Sequence, residues 1–549
     1  MHLVNEVITQ VVDVVWSDYT IMTILCMGVA FTVWSKAIQW RALTHGIALL
    51  RGRYNDQHDP GAISHFQALS TALSGTVGLG NIAGVAVAIA VGGPGALFWM
   101  WMTGFFGMAI KAVEVTLAMM YRDTSDPDNP RGGAMWVVTR GFGAPRGKAA
   151  KVVARMLAAL FCWSLLLAVI TSGNMFQSWN VANITKQYFG VPQLVTGVAM
   201  AVITGLVIVG GIKRIGDVTS KLVPFMCGTY LLAGVVVLVV EAANIPSLLA
   251  YVVRDAFSPS KAEGAFLGAT LWFGMTSGLK RAMFSNEAGQ GTSPIAHSAA
   301  KTREPVREGI VAGLEPFVDT CLVCTLTALV ILATGTWNRG PVGEFRGQIG
   351  TSTDVALLPA GDDTWDAGDR FFLLAKLPDA RHAKIRGAVR HASDSADAPL
   401  VIHWEPLPGD YEIVGPGVYH ELVGAALTGH AFDRAIPGLG KWLVTLTCWM
   451  FAVSTMISWS YYGEQAASYL FGRWAATPYK LLFCVVGVAA TVPHFITTDA
   501  HLGNLADLGS GLMLCTSAPI VLLLSHEAIA AFRDYFKRLD AGAFDKRRG

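Results

Sequence analysis

The stretch Ser74–Gly84, SGTVGLGNIAG, lies inside a long apolar run yet carries four glycines, the amide Asn81 and no charge. A glycine in a helix interior costs about 1 kcal/mol relative to alanine. In a hydrocarbon environment each freed backbone group costs several kcal/mol more unless something satisfies it. A break there persists where it lines a cavity or holds an ion. Close helix packing accounts for Gly80 and Gly84, which form a GxxxG pair. It leaves Ser74, Thr76 and Asn81, grouped at mid-depth, unexplained. Nucleotide binding fails, because Gly78, Gly80 and Gly84 miss the GxGxxG spacing and no strand precedes them.

The rest of the 549-residue chain explains why this break matters. It is 53% hydrophobic and 15% charged, with mean hydropathy +0.46, against about 25% charged in soluble domains. Apolar runs near 20 residues recur, each able to cross a core of about 30 Å. The class is an all-α polytopic membrane protein. The net charge of +2 gives no sign of a nucleic-acid partner. The eight cysteines all fall in apolar spans, so no disulfide framework is indicated, and Cys321 and Cys324 read as small core residues rather than a redox pair. No basic n-region opens the chain, so no secretory leader is expected.

About eleven spans are expected: 20–40, 66–91, 95–120, 153–176, 192–211, 218–240, 265–284, 309–335, 439–461, 478–495 and 503–525. Every second loop is basic. Arg41, Arg51 and Arg53 come first, then the run from Arg122 to Lys151, then Lys213 and Arg214, then Lys301, Arg303 and Arg307, then the tail from Lys537 to Arg548. The positive-inside rule therefore puts the N-terminus outside and the C-terminus in the cytoplasm. Residues 337–437 interrupt the pattern. They are polar and acidic, with Asp362, Asp363, Asp366 and Asp369 clustered. The segments DRFFLLAKLP, AKIRGAV and LVIHWEPLP read as short strands, so a small extracytoplasmic β-rich insertion is expected. His382, His391 and His403 are too scattered to suggest a metal site.

A transporter built from inverted repeats needs a second interrupted span. LWFGMTSGLKRAMF, Leu271–Phe284, supplies one, apolar but punctuated by Gly274, Thr276, Ser277 and Gly278. With the first span set aside, the two interruptions become helices 1 and 6 of a five-plus-five arrangement. Half-helix N-termini there can hold a carboxylate, and unwound carbonyls can hold a sodium ion. The expected organisation is 1–65 for the N-terminus, extra helix and first cytoplasmic loop; 66–240 for the first repeat; 265–336 for the start of the second; 337–437 for the insertion; 438–525 for the end of the second repeat; and 526–549 for the basic tail.

Four segments in order, GTVGLGNIAGVAVAIAVGGPGALFWMWMTGFFGMAIK, GNMFQSWNVA, SNEAGQGTSPIAHSAAKT and FAVSTMISWSYYGEQ, resemble the alanine or glycine:cation symporter family. The resemblance covers essentially all the spans. It implies a LeuT-type fold preceded by one extra helix, residence in a bacterial plasma (inner) membrane, and uptake of a small neutral amino acid with sodium, sometimes protons, without an enzyme cofactor. By that match, carbonyls near Ser74 and Val77 and hydroxyls of Ser454 and Thr455 would hold sodium. Back-bonding to the preceding helical turn is the plainer role for a Ser-Thr pair. Thr76, Gly78, Gly80, Asn81, Asn174, Gln177, Thr276 and Thr455 would meet the amino acid, while Phe273 and Trp459 would limit its size. Asn286 and Glu287 would form an inner gate through Arg281 or Lys280, and Glu287 is also the candidate proton acceptor in a proton-coupled variant. Lys111 and Glu114, one turn apart, would pair. His297 stands without an evident partner.

Other functions fit less well. A channel would need a repeated filter sequence, and none is seen. An enzyme would need a catalytic constellation such as HExxH or GxSxG, also not seen. A sensor using the outer insertion remains an alternative, as do serine or D-alanine as substrates.

Overall fold

The computed structural model describes residues 2–54, 56, 58–345, 355–356, 369–378, 382–391, 400–405, 407, 409–422, 424–492 and 499–544. Asp362, Asp363, Asp366 and the end of the basic tail lie outside the described residues. Each expected span overlaps a helix over at least part of its length. Among the described residues seven helices are long and apolar enough to cross a membrane, and eight if the bent pair His65–Thr76 and Gly80–Gly92 counts as one. The remaining expected spans fall on the shorter helices Gln193–Ile208, Leu271–Asn286 and Ala476–Ala489. The fourth span runs well past its expected end: the helix from Gly147 continues to Phe189 through a π turn at Thr171–Met175. The residues before the first span are helical too, over His2–Val15.

After the helix Asp18–Trp34 the chain is helical almost throughout, with shorter helices such as Ile38–Arg41, Ile245–Asp255 and Ala425–Ala435 between the longer ones. Local chemistry sets the starts. Ser64 caps the first broken helix, accepting from Gln67 N–H, while the Gln67 side chain accepts from Ser64 N–H. Thr270 caps Leu271–Asn286 through the N–H of Phe273. The long helix Leu439–Phe471 packs against the first broken helix, and Gly95–Tyr121 packs against the second.

The insertion is a six-stranded antiparallel sheet. Its strands are β1 Gly343–Glu344, β2 Val355–Ala356, β3 Arg370–Lys376, β4 His382–His391, β5 Leu400–Glu405 and β6 Glu412–His420, in spatial order β1-β6-β3-β4-β5-β2. Strand β3 is apolar on both faces because both are covered. Phe371, Leu373 and Ala375 join the sheet's own core with Ile385, Ile402 and Trp404. Phe372 and Leu374 pack on Ala265, in the loop that leads into Leu271–Asn286. The helix Ala425–Ala435 returns the chain to the bundle, and its Thr428 hydroxyl donates to the carbonyl of Ile82 beside the first break.

Candidate functional site

The first break falls where the sequence places it. The helix ends at Thr76, Val77 is extended, and the chain resumes at Gly80 with a 52° bend. The N–H of Gly78 donates to Asn81 Oδ1 at 2.8 Å instead of to a helical carbonyl. A Cβ on Gly78 would stand 2.7 Å from Thr455 Oγ1, so only glycine allows the long helix to approach this closely. Asn81 Nδ2 donates to Asp319 at 2.5 Å and to Ser285 Oγ at 3.1 Å. Asn81 is therefore fully engaged in holding the break and does not line the cavity beside it.

The second break is displaced from its expected position. Leu271–Asn286 is an unbroken helix. Gly274 and Gly278 are packing glycines: a Cβ there would lie 2.9 Å from the Gly92 carbonyl oxygen and 2.3 Å from that of Ala96. Thr276 returns its hydroxyl to Trp272 O, and Phe273 is 49% exposed, so neither reaches the cavity. The interruption lies instead at Glu287–Thr292, between Asn286 and the short helix Ser293–His297. Glu287 has φ +53°, a left-handed conformation rare outside glycine, and Gly289 and Gly291 are left-handed as well. Such backbone strain clusters at functional sites. Asn286 caps the turn by accepting from Ala288 N–H.

Between the two breaks lies a small, mostly polar cavity of about 30 Å³. Of the expected residues, Thr76, Gly78, Gly80, Gln177, Thr455 and Trp459 line it, joined by Glu287. Gly75, Leu79, Ser172, Phe284, Ser285, Gln290 and Ser510 complete the wall, none of them among the expected site residues. Phe284 takes the aromatic position assigned to Phe273. Asn174 turns away, donating to Phe483 O at 2.6 Å. Gln177 Nε2 donates to Ser172 O in the π turn, and its Oε1 is buried without a partner. Trp459 lies one turn beyond Thr455 and shares its face.

Of the expected sodium residues, Ser74 and Ser454 meet directly. Ser74 Oγ donates to Ser454 O at 2.6 Å, and Ser454 Oγ lies 3.5 Å from Ser74 O. Ser454 also bonds back to Phe451 O, the plainer role for this hydroxyl. Thr455 Oγ1 is different: it is buried and has no hydrogen-bond partner. An unsatisfied buried hydroxyl costs about 1–3 kcal/mol.

The expected gate contacts do not form. Lys280 pairs with Asp507 at 3.5 Å, and the Arg281 guanidinium sits 5.6 Å from the Phe284 ring centroid. Glu287 is held by the Thr292 hydroxyl at 2.5 Å. Lys111 faces Glu315 at 3.4 Å rather than Glu114, whose carboxylate accepts from Gly291 N–H at 2.7 Å and from Gly289 N–H. His297 is not isolated. Its ring nitrogens face Glu308 and Glu315 at 2.6 and 2.7 Å.

A bundle with two broken helices around a small polar cavity is transporter architecture, and sequence comparison assigns the family. The sodium:alanine symporter family model matches residues 1–355 and 411–548. The chain belongs to the sodium:alanine symporter family. It is 34% identical over 524 residues to the sodium/alanine symporter AgcS of Methanococcus maripaludis, covering 95% of this chain and 94% of that one. It is 30% identical over 533 residues to a putative sodium/proton-dependent alanine carrier protein, YrbD, of Bacillus subtilis, covering 96% and 92%. Among solved structures, MhsT in complex with L-phenylalanine aligns over 84% of this chain and 89% of that one, with 15% identity and a TM-score of 0.47. As a member of the sodium:alanine symporter family the protein is a membrane-embedded secondary transporter, not an enzyme. Residues 356–410, most of the sheet, lie outside the family match.

Proposed function

We propose that this symporter imports alanine or glycine together with sodium by alternating access. The observation that carries the reading is Thr455 Oγ1, buried and unpartnered beside the Ser74–Ser454 contact and facing Gly78. Sodium is a hard cation that takes hydroxyl and carbonyl oxygens. In this reading Ser74 and Val77 carbonyls, Ser454 and Thr455 hold the ion. The amino acid lies alongside, its carboxylate toward the backbone N–H groups that follow the break, at the positive end of the resumed helix. Thr76, Gly78, Gly80, Gln177 and Thr455 make its polar surroundings. Trp459 and Phe284 limit its side chain. Asn81 and Asn174 act one step back, fixing the break and the π turn.

The alternation of basic loops supports an N-terminus and a sheet outside and a C-terminus inside. A proton in place of sodium is the second reading, favoured by the carboxylate of Glu287 on the cavity wall. Labelled alanine uptake into proteoliposomes under imposed sodium or proton gradients separates the two. A sodium ion crossing 100 mV contributes about 2.3 kcal/mol, and a tenfold gradient about 1.4 kcal/mol more, which together support roughly 500-fold accumulation. Uptake indifferent to sodium with the proton gradient clamped refutes sodium coupling.

A further inference from the structure

The segment leading into the first broken helix and the segment leaving the second are stitched together on the side of the basic loops. Ile63 and Ala300 form a parallel bridge. Ala62 N–H donates to Ala299 O at 2.8 Å, and Lys301 N–H to Ile63 O at 2.8 Å. The buried Arg122 guanidinium clamps the junction, donating to Ser298 O, Ala300 O, Thr302 O and Pro60 O. Beneath it lies a chain of buried ionisable groups. His65 opens the first broken helix and bonds Glu308. Glu308 and Glu315, on the helix that follows, bracket His297 at the end of the second broken unit.

The chemistry of His297 follows from counting protons. A neutral imidazole has one N–H donor and one acceptor nitrogen. Here both ring nitrogens face carboxyl oxygens at 2.6 and 2.7 Å. Two ionised carboxylates only accept. Either the ring is an imidazolium or one carboxyl is protonated, and in both cases the trio holds one proton beyond a neutral ring and two carboxylates. The other groups facing it are Ser293, which donates to Glu315 Oε1, and Lys111, 3.4 Å from Glu315 Oε2. His65 lies on the far side of Glu308, and Arg122 stands above on the carbonyls. Glu114, one turn along from Lys111, is held by Gly289 and Gly291 N–H and by Ser517. The extra proton thus sits beside the stitched junction, between the end of the second broken unit and the helix that follows.

We infer that His297, bracketed by Glu308 and Glu315, is a proton-binding site that locks the junction between the two broken helices on the cytoplasmic side. Opening admits water and frees the proton, so the closed junction is favoured at low pH and opening at high pH. The inference rests on the alternating-access reading. Its test is alanine exchange by the full chain in proteoliposomes with equal sodium on both sides, stepped from about pH 6 to about pH 8, the range where histidine charge changes. Wild-type exchange is expected to rise several-fold across this range. His297→Gln, which binds no proton, is expected to exchange at a rate independent of pH. His297→Lys keeps a permanent cation between the carboxylates and is expected to be slow and equally flat, which decides the matter where the Gln variant fails to fold. A flat wild-type profile, or either variant retaining the wild-type slope, overturns the inference. Absence of alanine exchange in the wild type at any pH strikes the substrate reading instead.

Discussion

The indole N–H of Trp459 donates to the carbonyl of Gly75 at 3.1 Å, so the residue that walls the cavity also ties the long helix to the last turn before the first break. The two roles separate by substitution. Trp459→Phe keeps most of the wall and loses the bond, worth about 1 kcal/mol. It is expected to weaken alanine transport by roughly fivefold at most while preserving the order alanine over leucine. Trp459→Ala removes the wall. It is expected to lower alanine affinity and to admit valine or leucine, since one methylene of space changes discrimination by about 1–3 kcal/mol. A competition series on the purified variants checks this. An unchanged ranking in a folded Ala variant takes Trp459 out of the pocket's size limit.

Thr455→Val preserves shape and removes the unpartnered hydroxyl. With sodium absent, the variant is expected to melt at the same temperature as the wild type or slightly higher, because an unsatisfied buried group is gone. With sodium present, the concentration needed for half-maximal uptake is expected to rise about tenfold or more, the cost of losing one ligand to a charged species. Thermal shift against sodium, read beside uptake, measures both. Equal sodium dependence in the two proteins moves the ion away from Thr455.

The contrast between the two breaks shows what the sequence holds. Around Gly78 the signal is local: glycines, an amide that caps the gap, and hydroxyls grouped on one short stretch. Around Gly274 and Gly278 the same residue type has a different cause, contact with the backbone of Gly92 and Ala96, far earlier in the chain. A missing Cβ reads identically in both cases. The actual second break carried its own signature, the left-handed Gly289 and Gly291 after Glu287, in a motif assigned to the inner gate. The misplaced aromatic follows from that error, since Phe273 and Phe284 are three helical turns, about 16 Å, apart. His297 looked solitary because its partners lie 11 and 18 residues away on the next helix. The strands of the insertion were legible because turn residues bound them. The burial of both faces of β3 depends on Ala265, far off in the chain.

The sheet carries a pH-dependent weakness. Burial depresses the Lys384 ammonium to about 8, opposed by the Glu421 carboxylate and deepened by Arg339 and Arg386. Free lysine titrates near 10.4. Between about pH 8 and pH 10 the unfolded chain therefore binds more protons than the folded sheet, and stability rises with pH. Below that window the full penalty applies. Lys384→Met removes it, but also removes the cation's contact with the Phe372 ring, 4.1 Å to the centroid and worth about 0.5–1 kcal/mol. The net expectation at neutral pH is a gain on the order of 1–2 kcal/mol, fading toward about pH 10. Resistance of the insertion to limited proteolysis in the intact protein reports it. A Met variant no more resistant at pH 7 removes Lys384 as the cause.

The junction itself can be locked. Ile63 and Ala300 are bridge partners with both side chains buried, on segments that must part if this side opens. With the exposed Cys26 and Cys515 changed to serine, the pair Ile63→Cys and Ala300→Cys is expected to oxidise to a disulfide. Uptake is then expected to fall to background and to return on reduction, while sodium still shifts the melting temperature of the oxidised protein, because the ion site lies beyond the lock. Either cysteine alone should leave uptake within about twofold of the parent, as small changes in packing at one position do. The alternative geometry is a junction that travels as one rigid unit, with opening elsewhere. In that case a complete disulfide, verified by mass, leaves uptake unchanged, and the stitch between the two broken helices becomes a hinge that never opens.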